Sequence, residues 1–313
     1  RVNWAYDHAI HSPHPTSKCV LFRHRLASQE FDELLVDVLP GYAQSEQDRL
    51  ERADRQRAIG AVHPLELNER DQILLTVVWL RVYPTHEVLG YLFGVSDSTV
   101  SRLIGRVLPV LERAGRDTMR MPDPGKKRRR SLDDLLRDTP ELAVVIDSFE
   151  QRVQRPRDRD EADGLYSGKK KQHTLKSQVA VDEASGQVVD IAESAPGRTA
   201  DIRLLEESQL MTRLPDGVGG IGDSAYQGMA RLHPHGLGAS PRKKPWGKPR
   251  PPEDTAFNSA FSRRRIIVEN TIGRMRRYQS ITQTDRNHRQ HHTPRVAAIA
   301  GLVNRQLAHR MPA

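Results

Sequence analysis

Residues 141–150 read ELAVVIDSFE. The short apolar run Leu142–Ile146 predicts a buried strand that ends in Asp147. Such a strand holds its terminal carboxylate at the sheet edge, open to solvent. Taken alone, Asp147 is an ordinary strand-end residue capping a turn. The pattern recurs downstream, where a Gly-rich strand, Val218–Ile221, is followed by Gly222, Asp223, Ser224, Ala225, Tyr226, Gln227 and Gly228. Gly222 lets backbone or ligand come close there. Two Asp residues, each ending a central strand, are expected to converge.

The elements between and after these strands are readable from their patterns. His173–Val181 alternates as a strand. Gln187–Ala192 is β-prone and follows a Ser185–Gly186 turn, so the two predict a hairpin. Asp201–Leu210 reads as a helix and Ala225–Leu232 as a short one. Residues 241–254 are rich in Pro, Lys and Arg and predict a loop. Phe257–Tyr278 is a long helix with Phe257, Phe261, Val268, Ile272 and Met275 as its apolar stripe. Glu269 borders that stripe, and Arg265 and Arg276 share its face. A surface salt bridge between Glu269 and Arg265 is the bland alternative. It does not account for Arg263, Arg264, Arg274, Arg276 and Arg277 on the same helix region. An acid among arginines suits a place where phosphate approaches metal ligands.

The upstream half is helical. Ser28–Leu39 predicts a short helix inside a first region, residues 1–62. Residues 63–115 predict three helices: one from Asn68 to Pro84, one over Thr85–Phe93 stopped by Gly94, and one running from Val95–Ser96 to about Arg113. This is the outline of a helix-turn-helix. The third helix then enters the major groove N-terminal end foremost, which nominates Ser98, Thr99, Ser101 and Arg102 for base edges and Arg106 for the backbone. A helical bundle used only for dimerisation is the alternative. Residues 116–140, with the run Lys126–Arg130, predict a basic linker, and residues 141–313 the second globular domain.

Composition agrees with a polyanionic partner. The 313-residue chain carries a net charge of +9, and its cations cluster. Its single cysteine, Cys19, makes neither an internal disulfide nor a cysteine-rich zinc site. No apolar run approaches membrane-spanning length, and Arg1–Ile10 has no signal-peptide pattern. No membrane association is therefore expected, and the location expected is the cytoplasm. The histidine groups His8, His11, His14 and His288, His291, His292 have spacings a metal could use, but no Cys or acid completes either; surface histidines are the simpler reading. No Ser-His-Asp or Cys-His arrangement offers a nucleophile. Three carboxylates suit Mg²⁺, and two such ions roughly 3.5–4 Å apart clamp both oxygens of an in-line displacement at phosphorus.

Several segments, in order, resemble the transposases of bacterial insertion sequences in the insertion-sequence-five group. They are Ile146–Glu150, Tyr166–Lys176 (YSGKKKQHTLK), Pro196–Gly197, Gly222–Gly228, Val268–Asn270 and Ala300–Asn304. The resemblance covers about residues 66–307. It implies an α+β multidomain chain, with a helical helix-turn-helix domain followed by a ribonuclease H-like α/β catalytic domain. It also implies a catalytic and metal-binding triad of Asp147, Asp223 and Glu269, with two Mg²⁺ ions for which Mn²⁺ substitutes. Terminal inverted repeats and target DNA are the implied partners. Two ends must be brought together, so a homodimer is expected. Related transposases place a Tyr, an Arg, the Glu and a Lys at set spacing; here those positions hold Ser262, Arg265, Glu269 and Arg276. The start of the hairpin is expected close to Asp147, with Lys169, Lys170, Lys171, His173 and Lys176 on DNA phosphates beside Arg265 and Arg276. A recruited DNA-binding regulator of the same fold, and a nuclease that cuts without joining, are the alternatives.

Overall fold

The structure, a computed structural model, describes residues 28–54, 67–123, 143–247 and 249–310. The chain divides into two compact units: Arg1–Gly115 with Tyr278–Ser280, and Arg116–Arg277 with Ile281–Ala313. The basic run Lys126–Arg130 and the group His8, His11, His14 lie outside the described residues. Among the described residues no helix is long and apolar enough to cross a membrane.

The first unit is helical. Helix α1 (Ser28–Glu51) runs well past Leu39, through Pro40. Helix α2 (Glu69–Val82) starts where the Asn68 side chain accepts from the Asp71 backbone N–H, and is buried from Asp71 to Leu80. That burial is why its apolar block is continuous rather than striped. Arg70 pairs with Asp32 at 2.8 Å, and Tyr42 donates to Gln72 at 2.5 Å, so polar contacts fix α2 on α1. Helix α3 (His86–Phe93) is capped by Thr85 and ends at Gly94, whose φ of 70° lies in the left-handed region that favours glycine. Its successor α4 (Asp97–Arg116) starts under the Ser96 hydroxyl, which accepts from the Thr99 N–H. Val100, Leu103, Ile104, Val107 and Leu111 are buried, as the helical spacing predicts. Helices α3 and α4 with the Gly94 turn form the helix-turn-helix.

The second unit is built on a seven-stranded sheet. Strand β1 (Ala143–Arg152) is central. It pairs antiparallel with β3 (Gln172–Asp182) and parallel with β6 (Gly219–Gly222), and β7 (Gly238–Ala239) extends β6. The remaining strands β2 (Tyr166–Ser167), β4 (Val188–Ile191) and β5 (Ala195–Pro196) all pair with β3. The β3–β4 hairpin turns at Ser185–Gly186 as the sequence predicts, with Asp182 accepting from the Ser185 N–H and hydroxyl. Between β1 and β2 lies α5 (Arg159–Leu165). Helices α6 (Asp201–Ser208) and α7 (Leu210–Arg213) follow β5 and cover the sheet through a cluster that includes Val144, Ile146, Leu205, Met211 and Tyr226. Helices α8 (Pro252–Met275) and α9 (His292–Ala308) pack on β1, β3 and β4. This is the mixed sheet-and-helix arrangement of a ribonuclease H-like domain.

Two expectations change here. Strand β1 does not end at Asp147; it continues to Arg152 because β3 continues to pair with it, as far as Arg152 opposite Thr174. Only its pairing with β6 stops at Ile146. Residues Ala225–Leu232 form two 3-10 turns, Ser224–Tyr226 and Met229–Leu232, separated at Gly228.

Candidate active site

The site begins with register. In the parallel pair Ile146 lies opposite Gly222, so the next residues, Asp147 and Asp223, are neighbours on strands that stand about 4.8 Å apart. Gly222 allows this because a Cβ there would meet the Tyr226 ring at 2.7 Å. The close approach anticipated at Gly222 is therefore made by Tyr226. Asp223 then turns the chain away by accepting from the Ala225 N–H at 2.8 Å.

Asp147 is four-fifths buried. One carboxylate oxygen accepts from the Ser148 N–H at 2.8 Å, the other from Arg265 Nη2 at 3.1 Å. Arg265 projects from α8, and the same Nη2 lies 4.0 Å from Glu269 Oε1 one turn further on. Glu269 itself is exposed, so the helix brings it to the site's rim rather than its floor. Two buried polar atoms have no hydrogen-bond partner among the described residues here: Arg265 Nε and the Tyr226 hydroxyl. Burial, and then the charges of Asp201, Asp147 and Asp223, hold the Tyr226 phenol neutral far above its usual range.

Burial raises the Asp147 carboxyl above the usual carboxylate range, and the charges of Asp223 and Glu269 push the same way; the Ser148 N–H and Arg265 oppose them without prevailing. A raised carboxyl favours the fold below its unfolded pKa, and that contribution is lost as pH rises through the folded value. Asp147→Asn, which stays neutral, is therefore expected to gain thermal stability relative to the native chain between about pH 4 and about pH 7. Melting curves of both proteins at the two pH values check this; a constant difference would contradict it.

Behind Asp147, Ser148 donates to Asp201 at 2.6 Å and Lys176 Nζ lies 3.1 Å from the same carboxylate. Lys176 is buried and also donates to the Thr199 carbonyl. This corrects its expected place on DNA phosphate, because its charge is spent inside the protein. Asp201 was missed in the sequence, where an Asp at a helix start reads only as a favourable end charge. Lys169, Lys170 and Lys171 are exposed on the β2–β3 turn, with His173 half-buried against Tyr166. They are not close to Asp147. Asp147 pairs with Val179, and Gln172 lies seven residues back along β3, roughly 20–24 Å away.

The remaining candidates separate in the same way. Arg276 caps the C-terminal end of α8, exposed, eleven residues and roughly 16 Å along the helix from Arg265. Ser262 is exposed on the same helix. Arg264 belongs to the fold: its guanidinium grips Glu183 through two 2.5 Å hydrogen bonds. In the first unit, Ser98, Ser101 and Arg102 are exposed at the start of α4, and Thr99 is half-buried beside them. Arg102 donates to the Ser98 carbonyl and the Thr99 hydroxyl. Arg106 points toward α1, 3.7 Å from Glu46.

Asp147 and Asp223 offer hard oxygens side by side. Among the described residues no three His, Cys, Asp or Glu side chains stand close enough together to hold an ion on their own. Mg²⁺ needs only one or two carboxylates and fills its other positions with water and substrate phosphate. The pair therefore fits that ion, and Glu269 stands at the rim beside Arg265.

Comparison with known proteins gives the family. A family model described as DDE superfamily endonuclease matches residues 146–304. Another, the helix-turn-helix of DDE superfamily endonuclease, matches residues 65–117. The chain is 30% identical over 238 residues to a probable transposase for insertion sequence element IS702 from Microchaete diplosiphon, an alignment spanning 76% of this chain and 80% of that protein. No solved structure matches the chain.

Proposed function

The chain belongs to the DDE superfamily endonucleases of transposable elements, and from that premise we propose that it binds the terminal inverted repeats of an insertion sequence, cuts them and joins them to target DNA. The observation that carries this reading is the register of β1 on β6, which sets Asp147 beside Asp223 with Arg265 and Glu269 of α8 facing them.

In this reading Asp147, Asp223 and Glu269 hold two Mg²⁺ ions, with Mn²⁺ as a substitute. Bound there, the ions activate water or a 3′-hydroxyl and offset charge on the leaving oxygen. The protein's own groups do the rest. Ser148 N–H and the Ser148–Asp201–Lys176 network fix the Asp147 carboxylate from behind. Arg265 balances the carboxylate charge in the free protein and has a buried Nε still to be satisfied. An incoming phosphate gives that guanidinium a second anion, and its shift from Asp147 opens the path for Glu269. Arg263 and Arg276, exposed on α8, supply salt-dependent attraction to the backbone. The lysines of the β2–β3 turn contact DNA away from the cut. A homodimer brings the two ends together.

The test is incubation with DNA carrying the element's ends in Mg²⁺, scored for cleavage and for joined product. Cleavage without joining would favour a nuclease; binding without either would favour a recruited regulator. The helix-turn-helix part has its own check. Arg102→Ala is expected to weaken binding to the ends by about 1–3 kcal/mol if Arg102 reads a base edge. Titration by fluorescence anisotropy measures it, and unchanged affinity would leave α4 a dimerisation helix.

A further inference from the structure

The loop between β7 and α8 was read from sequence only as a loop, and the proposed cleavage chemistry makes no use of it. Its stem is fixed firmly. Gln227, four residues after Asp223, donates to the Pro241 carbonyl at 2.9 Å. The Arg242 N–H donates to Asn258 Oδ1 at 2.8 Å, and Asn258 Nδ2 returns a bond to the Arg242 carbonyl at 3.0 Å. The Arg242 guanidinium pairs with Asp254 at 3.0 Å and lies over the Phe257 ring, 4.3 Å from its centroid. Of the two acids at the start of α8, Asp254 is thereby matched to the stem, and Glu253 is exposed beside it.

Beyond this stem the loop presents Trp246, which is 100% exposed. Gly247, with φ of 70°, makes the turn that holds it out. Lys243, Lys244 and Arg250 are exposed around it, and none of them pairs with an acid among the described residues. Between 243 and 250 the sequence has four cations and no acid. An indole left wholly in water gains the fold nothing. Four cations against one exposed neighbouring acid, Glu253, favour a polyanion and disfavour a second copy of a chain whose net charge is +9. Cationic side chains that track a backbone, interleaved with an aromatic face on which a base lies, are the two parts of a single-strand nucleic-acid contact.

We propose that Lys243, Lys244, Trp246 and Arg250 form a second DNA-contacting element, in which the three cations hold the phosphate backbone and Trp246 stacks on an unpaired nucleotide. A duplex hides the faces of its bases, so the stacked base belongs to a frayed, overhanging or extruded position. The stem is anchored to Gln227, four residues after Asp223 in the chain. Such a DNA contact deepens the proposed function and rests on the chain being a DNA-cutting enzyme.

The experiment uses the full-length Asp147→Asn protein, so that DNA stays intact, and compares two end fragments, one blunt and one with a short single-stranded overhang. Trp246→Ala is expected to weaken overhang binding about tenfold and leave blunt-end binding within about twofold. Trp246→Phe, which keeps an aromatic face, is expected to retain most of the affinity. The overhang is expected to quench the tryptophan emission that Trp246→Phe removes. Overhang affinity unchanged in Trp246→Ala, equal losses on both fragments, or a Phe variant as weak as the Ala variant would each overturn the stacking proposal while leaving the enzyme reading intact. Failure of the Asp147→Asn protein with native Trp246 to bind either fragment would overturn both. Trp246 touches no core, so loss of folding does not confuse the result.

Discussion

Asp147→Asn and Asp223→Asn are each expected to slow cleavage of end DNA by about 1,000-fold or more, with binding to that DNA retained. Loss of a partner behind a metal ligand lowers activity about 10–100-fold, and loss of a ligand itself should do more. Asn keeps the shape of Asp and its acceptor oxygen, so the Ser148 N–H and the Ala225 N–H remain satisfied in the two variants. What disappears is one negative charge from a pair that sits side by side at the end of the β1–β6 ladder. Single-turnover cleavage, with DNA affinity measured in parallel, separates chemistry from binding. Glu269→Gln is expected to fall in the same direction. Its exposed side chain makes it the member of the three whose effect depends most on movement when DNA arrives. Retention of cleavage by Asp147→Asn would remove the basis for the proposed site.

The largest expected effect on stability lies away from this site. Arg295 of α9 is fully buried, and its guanidinium makes two hydrogen bonds, at 2.8 and 2.5 Å, to the equally buried Asp285. Burial alone would raise the Asp285 carboxyl. The hydrogen bonds and charge of Arg295 override it and hold the carboxyl below its usual range. Asp285→Ala leaves a buried cation without its counter-charge, which is expected to destabilise the second unit by about 3–5 kcal/mol. For a unit of this size that lowers the melting temperature by roughly 10 °C. Replacing both partners, Asp285→Ala with Arg295→Met, is expected to restore much of the loss, because two apolar groups need no partner. Thermal unfolding of the single and double variants checks both statements, and a single variant as stable as the native chain would contradict them. The carboxyl is held low in the fold, so the contribution is present above its unfolded pKa and is lost as pH falls through the folded value.

The parts of this architecture that were readable in the sequence carry local signals. Asn68, Thr85 and Gly94 bound helices by capping chemistry within three or four residues. Ser185–Gly186 marks a hairpin because a turn needs only its own residues. The short strand before Asp223 is local too. What was not readable depends on partners far along the chain. Lys176 looks like one more cation of a basic turn until Asp201, on a different element, takes its charge. Arg264 and Arg265 are adjacent and alike in sequence, yet one grips Glu183 and the other faces Asp147. The continuation of β1 past Asp147 is set by β3, and it carries the Lys169–Lys171 turn away from the carboxylates. Helix α9 was hidden for a related reason. His292, Arg295 and Asn304 look like surface residues, but each is buried and hydrogen-bonded, Arg295 through its two Nη atoms while its Nε has no partner among the described residues. His292 bonds Ser194 and Gln151 through its two ring nitrogens, and burial, with the charge of Arg295, pushes it down to about 3, so it stays neutral. With both ring nitrogens already bonded it offers none to a metal, and its neighbours His288 and His291 are exposed. Asn304 bonds both the N–H and the carbonyl of Val188, taking the place of a strand partner for β4.

The central claim is that Asp147 and Asp223 share the two-ion centre that DNA completes. Its most direct test is a Mn²⁺ titration, followed by electron paramagnetic resonance, of the chain bound to end DNA that carries a non-cleavable linkage at the cut position. Tight Mn²⁺ binding is predicted for the native chain, and its loss in both Asp147→Asn and Asp223→Asn. Equal Mn²⁺ binding in all three proteins, or none in the native complex, would contradict the account.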